Sequence, residues 1–218
     1  MTGLPPSDID LQLIRAAELQ PVPWKNGGGA TREIAVEPPG AAFDTFLWRI
    51  SMADVDQAGP FSTFEGIDRI IAVIQGGAMV LNDTATGTAH VLQRAEPFSF
   101  PGETPISAEL PDGPTQDFNL MWRRESAQGQ MKAWRTAERL CLEDGSTVLH
   151  CIAGSYYVSL PYGPDLNYLL NQGDTLRLTL PDSATLSLDI RPLQADAILL
   201  DSRIRALPAN ATHSEPRP

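Results

Sequence analysis

Two segments of the chain alternate strictly between two kinds of side chain. In residues 46–52 (FLWRISM) and residues 117–123 (DFNLMWR), every second position is a large apolar residue. The positions between them carry mostly polar side chains: Leu47, Arg49, Ser51, Asp117, Asn119, Met121 and Arg123. A period of two is typical of β-strands that have one apolar and one polar face. Both segments are therefore predicted to be strands.

Further strands follow, and little of the chain has the pattern of a helix. An apolar run over residues 70–81 is interrupted by Gly76 and Gly77, which predicts two strands around a tight bend. Additional strands are predicted at 150–152, 156–160, 176–180, 185–190 and 197–200. Short helical pieces are predicted only around 15–19 and 135–140. The 19 prolines among 218 residues favour strands and turns as well, because proline breaks helices. We therefore expect an all-β protein with very little helix.

A repeat runs through these predicted strands. Residues 71–76 (IAVIQG) resemble residues 149–154 (LHCIAG), and in both copies a polar turn and another strand follow. This order of strand, glycine, hairpin and turn is typical of a small β-barrel or jelly roll. The repeat predicts two similar β units packed as one body, although strands and glycine turns also recur by chance in β proteins.

The repeat and the distribution of polar blocks give an expected division of the chain. We place a first barrel, which carries the pocket, in residues 1–125 and a second barrel in residues 126–207. Residues 208–218 are small, polar and rich in proline, so we expect a disordered tail there.

The charge balance narrows the classes of partner. The chain has 16 basic and 27 acidic residues, a net charge of −11. This balance disfavours nucleic acids and anionic membrane surfaces, both of which attract basic proteins. Cys141 and Cys151 form no disulfide framework, and no apolar run is long enough to cross a membrane. We expect a cytoplasmic protein that binds neither nucleic acid nor membrane.

The most unusual segment is residues 23–33, PWKNGGGATRE. Three successive glycines lower backbone stability, so a structural or functional reason for them is expected. One reason is a close approach of the backbone to a ligand, with N–H groups forming an anion-binding nest and Lys25, Asn26 and Arg32 as further donors. The alternative is a flexible turn into a strand that starts near Thr31. The order of residues is not that of a phosphate-binding P-loop.

The polar strand faces offer a second group of candidates. If they point into a barrel they line a cavity, and if they point outward they are a solvated sheet face. Packing of the apolar faces under the second unit would leave the polar faces at the mouth of the first barrel. Arg69 lies close to Phe61 in the sequence, and its guanidinium is suited to binding a carboxylate with two hydrogen bonds. The alternative for Arg69 is a surface salt bridge to Asp68 or Glu65.

Metal and catalytic motifs are weak. His90, His150 and His213 are dispersed, which predicts no metal ion and no cofactor. A nucleophile elbow is absent from the sequence, and Cys151 is expected to be an inert core thiol. Glu33 and Asp117 are the candidates for a catalytic acid and base, an assignment with little specificity because every protein contains carboxylates.

Five short blocks stand out in the first half of the chain: 23–34 (PWKNGGGATREI), 48–51 (WRIS), 59–62 (GPFS), 66–69 (GIDR) and 117–121 (DFNLM). In this order they resemble the HutD/Ves family. The resemblance implies a bicupin, that is, two cupin β-barrels in one chain, in agreement with the repeat. It also implies an association with bacterial histidine utilisation or with stress response, and binding of an intermediate such as formylglutamate or urocanate. The usual metal motif of cupins is missing here.

We therefore predict a metal-free protein that binds a small carboxylate metabolite, with formylglutamate, urocanate and formate as candidates, and that regulates histidine utilisation. A metal-independent isomerase or hydrolase acting on a small carboxylate and a structural interaction module are the alternatives, and a homodimer is left open. The predicted ligand-binding residues are Trp24, Lys25, Asn26, Thr31, Arg32, Glu33, Trp48, Arg49, Ser51, Phe61, Arg69, Asn119 and Met121.

Overall fold

The chain folds almost entirely into antiparallel β-strands, as the alternation predicts. The computed structural model describes residues 9–162 and 166–208, so most of the predicted tail at 208–218 lies outside the described residues. The strands are β1 (Asp10–Ile14), β2 (Val22–Pro23), β3 (Gly29–Glu37), β4 (Trp48–Val55), β5 (Gly59–Pro60), β6 (Ile67–Gly76), β7 (Met79–Asp83), β8 (Ala89–Leu92), β9 (Phe98–Pro101), β10 (Ile106–Glu109), β11 (Thr115–Arg123), β12 (Ala127–Trp134), β13 (Glu138–Leu142), β14 (Gly145–Ala153), β15 (Ser155–Ser159), β16 (Asn167–Asn171), β17 (Thr175–Leu180), β18 (Leu186–Pro192) and β19 (Ile198–Ala206). Among the described residues, no helix is long and apolar enough to cross a membrane.

The strands form two barrels with equivalent topology. The first combines a six-stranded sheet, β2-β3-β4-β11-β6-β9, with a four-stranded sheet, β5-β10-β7-β8. The second combines a five-stranded sheet, β1-β17-β14-β19-β12, with a four-stranded sheet, β13-β18-β15-β16. The order β4-β11-β6-β9 corresponds to β12-β19-β14-β17, and the two four-stranded sheets correspond strand for strand. The structure thus confirms the repeat: Gly76 ends β6, Gly154 directly follows β14, and both have a positive φ.

The first strand of the chain lies in the second barrel. β1 pairs with β17 from Asp10↔Thr179 to Ile14↔Thr175. Just after β1, Arg15 donates a 2.6 Å hydrogen bond to the carboxylate of Asp174. Residues 10–14 therefore contribute to a sheet outside the predicted first unit. The sequence did not predict this, because pairing between strands far apart in the chain leaves no local pattern. The division at residue 125 otherwise stays a prediction.

One of the two predicted helical pieces is wrong. A 3-10 turn at Ala16–Glu18 replaces the piece predicted around 15–19, but residues 135–140 run into strand β13. Pairing of β13 with β18 places Leu140 and Leu142 in the core of the second barrel. This tertiary packing outweighs the weak local preference for a helix.

The two larger sheets pack against each other through a shared apolar core. The first barrel contributes the apolar faces of β4, β6 and β11, which include Trp48, Ile50, Met52, Phe118, Leu120 and Trp122. The second barrel contributes residues that include Val148, Ile152, Leu200 and Ile204. Because successive side chains of a strand alternate between faces, the polar faces of β4 and β11 must point into the first barrel. The structure confirms this arrangement, which the alternation alone left open.

The interiors of the two barrels differ. The second barrel is filled by buried aliphatic side chains together with Tyr156 and Cys151. In the first barrel, apolar side chains form two separate clusters, one around Ile71, Met79 and Leu81 and one around Phe46. The remaining interior of the first barrel is the cavity described next.

Candidate functional site

A cavity of about 720 Å³ opens into the first barrel. Its wall is the inner face of β3, β4, β6 and β11, completed by the hairpin around Trp24 and by loops that carry Phe43 and Phe61. The residues that line it are Val22, Pro23, Trp24, Lys25, Asn26, Thr31, Glu33, Phe43, Arg49, Ser51, Ala53, Pro60, Phe61, Ser62, Phe64, Arg69, Asp117, Asn119 and Met121. The volume is within the range of small-molecule sites.

Strand register explains why the polar residues meet. Three rows of directly paired residues cross β4, β11 and β6: Arg49–Met121–Arg69, Ser51–Asn119–Ile71 and Ala53–Asp117–Val73. Residues two apart on a strand share a face, so the three rows lie on one side of the sheet. Arg49 and Arg69 flank Met121 on either side, roughly 10 Å apart at a spacing of about 4.8 Å between strands.

All but two of the predicted ligand-binding residues line this one cavity, and so do both catalytic candidates. The lining residues predicted from sequence are Trp24, Lys25, Asn26, Thr31, Glu33, Arg49, Ser51, Phe61, Arg69, Asn119 and Met121, together with the catalytic candidate Asp117. The cavity lies in the first barrel, as predicted.

Arg32 and Trp48 are the exceptions, and neither lines the cavity, for the same reason in both cases. Arg32 pairs with Met52 in the strand register and donates a 2.5 Å hydrogen bond to Asp54 on the face turned away from the cavity. Trp48 is 3% exposed in the core between the barrels, with Arg177 5.3 Å above its ring. Each is adjacent in sequence to a cavity residue, so the alternation of the strand places it on the opposite face.

The three glycines shape a turn and do not form a ligand nest. Gly27 has φ +69° in the hairpin between β2 and β3, a conformation that favours glycine. At Gly29, a Cβ atom would lie 2.0 Å from the backbone oxygen of Asp54 on β4. None of the three lines the cavity. The strand begins at Gly29, so the structure supports the interpretation of a turn into a strand.

Arg49 lies at one end of the first row and is partly neutralised. Its Nε donates to Glu33 Oε2 at 2.9 Å, and its Nη1 donates to Ser51 Oγ at 3.0 Å. Its guanidinium lies 4.8 Å from the ring centroid of Phe43. Neither contact uses Nη2, which leaves that nitrogen as a donor for a ligand.

Arg69 lies at the other end of the row, inside an aromatic cage. It is 5% exposed, and its guanidinium lies 5.0–5.6 Å from the rings of Phe61, Phe64 and Phe100. Burial lowers the pKa of Arg69 to about 10, although the charge of Asp117 acts in the opposite direction. Its Nε is buried and has no hydrogen-bond partner among the described residues.

The alternative of a surface salt bridge for Arg69 is wrong. Asp68 instead pairs with Arg124, whose Nη2 lies 2.8 Å from the Asp68 carboxylate. Alternation along β6 turns Arg69 inward and Asp68 away from the cavity.

Asp117 and Asn119 lie on β11 between the two arginines. They are 3% and 9% exposed, and the Oδ1 atom of each is buried without a hydrogen-bond partner in the described part of the chain. Burial raises the pKa of Asp117 to about 7; the nearby Arg69 lowers it and Asp54 raises it further. Near neutral pH, Asp117 is therefore present in both protonation states.

Sequence reasoning missed several lining residues, most of them apolar: Val22, Pro23, Phe43, Ala53, Pro60, Ser62 and Phe64. Phe64 lies between Phe61 and Arg69, both of which were predicted to bind the ligand, so proximity in sequence could have indicated it. Phe43 comes from a loop without any periodic pattern, and it stacks on Phe64 with ring centroids 5.7 Å apart. Only the folded loop brings it to the cavity.

The second barrel has a polar depression at its mouth but a satisfied interior. There Arg203 donates to Asp201 and to the carbonyl of Cys141, both at 2.8 Å, and Trp134 Nε1 donates to Asp201 at 3.2 Å. Arg203 is thus paired with Asp201. Within residues 9–162 and 166–208, no three His, Cys, Asp or Glu side chains are grouped so that they could hold a metal ion.

Comparisons with known proteins agree with this architecture. A family model described as HutD matches residues 16–195. An uncharacterised 21.2 kDa Pseudomonas putida protein, described as lying in the hutC 3′ region, is 39% identical over 146 residues, which are 67% of this chain and 75% of that protein. Protein Ves of Citrobacter koseri is 37% identical over 136 residues, 61% of this chain and 68% of its own length.

Solved structures show the same fold. HutD from Pseudomonas fluorescens SBW25 superposes with a TM-score of 0.79 at 28% identity, covering 91% of this chain and 100% of that one. The formate complex of Lactobacillus farciminis oxalate decarboxylase superposes with a TM-score of 0.58 at 9% identity, covering 89% of this chain and 88% of that one. This second likeness concerns the fold alone, which is cupin-like with two barrels.

Proposed function

The chain belongs to the HutD family, and on that basis we propose that its first barrel binds a small carboxylate metabolite without a metal ion. The observation that carries the proposal is a set of cavity-lining side chains, each with a buried polar atom that has no hydrogen-bond partner among the described residues: Arg69 Nε, Asp117 Oδ1 and Asn119 Oδ1. Nearly all buried polar atoms in proteins are hydrogen-bonded, and leaving one unpaired costs about 1–3 kcal/mol. Atoms of this kind in a cavity wall favour an occupant that pairs with them.

The charges of the cavity favour an anionic occupant. Lys25, Arg49 and Arg69 line it, and one of the two carboxyls that face them, Glu33, is already paired with Arg49. Each charge-assisted hydrogen bond to a ligand carboxylate contributes about 1.5–3 kcal/mol. The aromatic rings beside Arg69 suit the apolar part of a small metabolite.

The biological role that we propose is regulation of histidine utilisation. It is supported by family membership and by the similarity to the Pseudomonas putida protein of the hutC 3′ region. Formylglutamate, urocanate and formate are the candidate ligands.

The first experiment compares ligand binding by the wild type and by Arg49→Ala in isothermal titration with the three candidates. We expect Kd to rise tenfold or more in the variant, equivalent to about 1.4 kcal/mol per decade. Arg139→Ala is the matched control, because it also breaks an arginine–carboxylate pair, with Asp189, but on the exposed surface of the second barrel. Its Kd should equal that of the wild type.

Two results would contradict the proposal. Equal affinity in wild type and Arg49→Ala would remove Arg49 from the site. Tighter binding of uncharged amide analogues than of the carboxylates would contradict the proposal that the ligand is an anion.

One observation favours an enzyme as the second candidate function. Asp117 is a buried carboxyl in a cavity with its pKa raised to about 7, which suits a general acid or base at neutral pH. A metal-independent isomerase or hydrolase would convert one of the candidate carboxylates, and Asp117→Asn would abolish the conversion. Incubation with each candidate, followed by product analysis, distinguishes this function from binding alone.

A further inference from the structure

Two carboxyl groups of the described residues line the cavity, those of Glu33 and Asp117, and Asp117 forms no salt bridge with an arginine. On β6, Arg69 interacts with it electrostatically, and on β4, Arg49 lines the same cavity. Glu33 on β3 is held by Arg49, at 2.9 Å. Asp54 lies on the opposite face of β4, bound to Arg32, and Lys25 is exposed on the hairpin. None of these groups donates a hydrogen bond to Asp117 Oδ1.

This arrangement creates a conflict for any anionic ligand. Asp117 already interacts electrostatically with Arg69, so a carboxylate drawn to Arg69 also experiences the charge of Asp117, and ionised carboxylates repel each other. If Asp117 carries a proton, it has no negative charge to repel the ligand, and its O–H group can donate a hydrogen bond. A hydrogen bond from a carboxylic acid to a carboxylate is among the strong ones.

Resting on the proposed function, we propose that Asp117 is the specificity-determining residue of the site and that a carboxylate ligand is bound together with one proton, held on Asp117. The proton comes from solvent, adds to the Asp117 carboxylate and is shared with a ligand oxygen. No covalent bond of the ligand breaks, and the proton returns to solvent when the ligand leaves.

The pKa of Asp117 agrees with this proposal. Burial without a donor raises the pKa of Asp117 to about 7, so the proton is present below that pH and must be taken up above it. A bound carboxylate stabilises the protonated form further. Affinity should therefore be constant below about pH 7 and fall about tenfold for each pH unit above it.

The experiment is isothermal titration with formylglutamate between about pH 6 and about pH 8.5, in pairs of buffers with different ionisation enthalpies. Formylglutamate is the preferred probe because its carboxyls titrate well below this range, whereas the imidazole of urocanate titrates close to it. For the wild type we expect the tenfold loss per pH unit and an uptake of about one proton per ligand at the alkaline end.

Asp117→Asn provides the decisive variant, because asparagine retains a donor and cannot be ionised. Its affinity should be independent of pH, close to that of the wild type at low pH, with no proton uptake. Asp182→Asn, an equal change of charge on an exposed residue of the second barrel, should keep the wild-type pH profile. Thermal unfolding of each variant shows whether it is folded at the pH of measurement.

The outcomes separate this inference from the function on which it rests. A wild-type affinity that does not change with pH, without proton uptake, overturns the role of Asp117 and leaves carboxylate binding intact. A pH profile that persists in Asp117→Asn overturns it as well. No binding of any candidate carboxylate at any pH overturns the proposed function.

Discussion

At the scale of single residues, the first barrel contains polar atoms that fold formation alone does not require. Asp117 is buried between two strands without a donor, and Arg69 is held by aromatic rings and a 3.5 Å contact to the Ser62 carbonyl. A buried charge without a matched partner lowers the stability of a fold. In the second barrel the corresponding interior is apolar, and its buried Asp201 accepts hydrogen bonds from Trp134 and Arg203. The difference supports the proposal that the polar wall of the first barrel binds a ligand.

Asp117→Asn should make the protein more stable above pH 7. The raised pKa means that the folded state binds a proton more tightly than the unfolded chain, whose aspartate has a pKa of 3.8. The contribution of Asp117 to wild-type stability therefore falls as the pH rises from about 4 to about 7, by about 1.4 kcal/mol for each pH unit between the two pKa values, and stays low above that. The variant lacks this fall, so its unfolding temperature should exceed that of the wild type at pH 8, by roughly 2–4 °C per kcal/mol, and the gain should shrink towards pH 5.

Thermal unfolding followed by circular dichroism across that pH range is the measurement. Asp182→Asn should follow the wild type throughout. A difference in stability between Asp117→Asn and wild type that is the same at every pH would contradict this prediction. It would show that folding does not change the pKa of Asp117.

At the scale of elements, strand alternation carries most of the information about the site. It places Arg49, Ser51, Asp117 and Asn119 on one face, and the structure confirms that face as the cavity wall. Applied consistently, the same alternation would have excluded Arg32. The alternation could not reveal Phe43, since its loop has no period, nor the strand at β13, where pairing with β18 decides the structure.

The hairpin between β2 and β3 requires glycine at position 29 more than at position 28. Gly29→Ala would bring a Cβ atom to 2.0 Å from the Asp54 carbonyl oxygen, a backbone atom that cannot move without breaking the β3–β4 pairing. We expect a loss of roughly 1–3 kcal/mol in the free energy of unfolding, and weaker ligand binding because the hairpin carries Trp24. The measurement is chemical denaturation with titration of formylglutamate.

Gly28→Ala is the matched control for this prediction. A Cβ atom at Gly28 meets only the side chain of Asn26, at 3.4 Å or more, so the cost should stay below about 1 kcal/mol. Equal losses in the two variants would mean that the close approach at Gly29 is not what requires glycine.

At the scale of the whole molecule, two barrels of equivalent topology have different interiors. The shared apolar core joins their larger sheets, and Arg94 of the first barrel donates to the carbonyls of Ile74 and, in the second barrel, Ile152, at 2.8 and 2.9 Å. The repeated sequence pattern predicted two units. It could not predict that β1 pairs with β17, because that contact joins residues 161 to 169 positions apart in the sequence.

His150 lies within the contact between the barrels and should make it sensitive to acid. It is 1% exposed, its Nδ1 lies 2.8 Å from Thr175 Oγ1, and its ring is 5.1 Å from that of Phe118. Burial lowers the pKa of His150 from 6.5 to about 4, so the unfolded chain binds a proton that the folded protein excludes. The contribution of His150 to stability should therefore fall as the pH drops from about 6.5 to about 4, by about 1.4 kcal/mol for each pH unit between these two pKa values.

His150→Asn tests this prediction by removing the titrating ring while an amide remains beside Thr175. Denaturation at a series of pH values should show lower stability than wild type at pH 7, because the contact with Phe118 is lost, and this deficit should shrink as the pH falls from 6.5 to 4. Thr175→Val is the control, since it removes the hydrogen bond and keeps the histidine, so its difference from the wild type should not shrink in this way. Asp117 contributes an opposite slope over much of this range, which offsets the effect of the histidine in any one protein. This contribution is common to all three proteins, so the difference between variants isolates the histidine. A deficit of His150→Asn that does not change with pH would place the acid-sensitive group elsewhere in the chain.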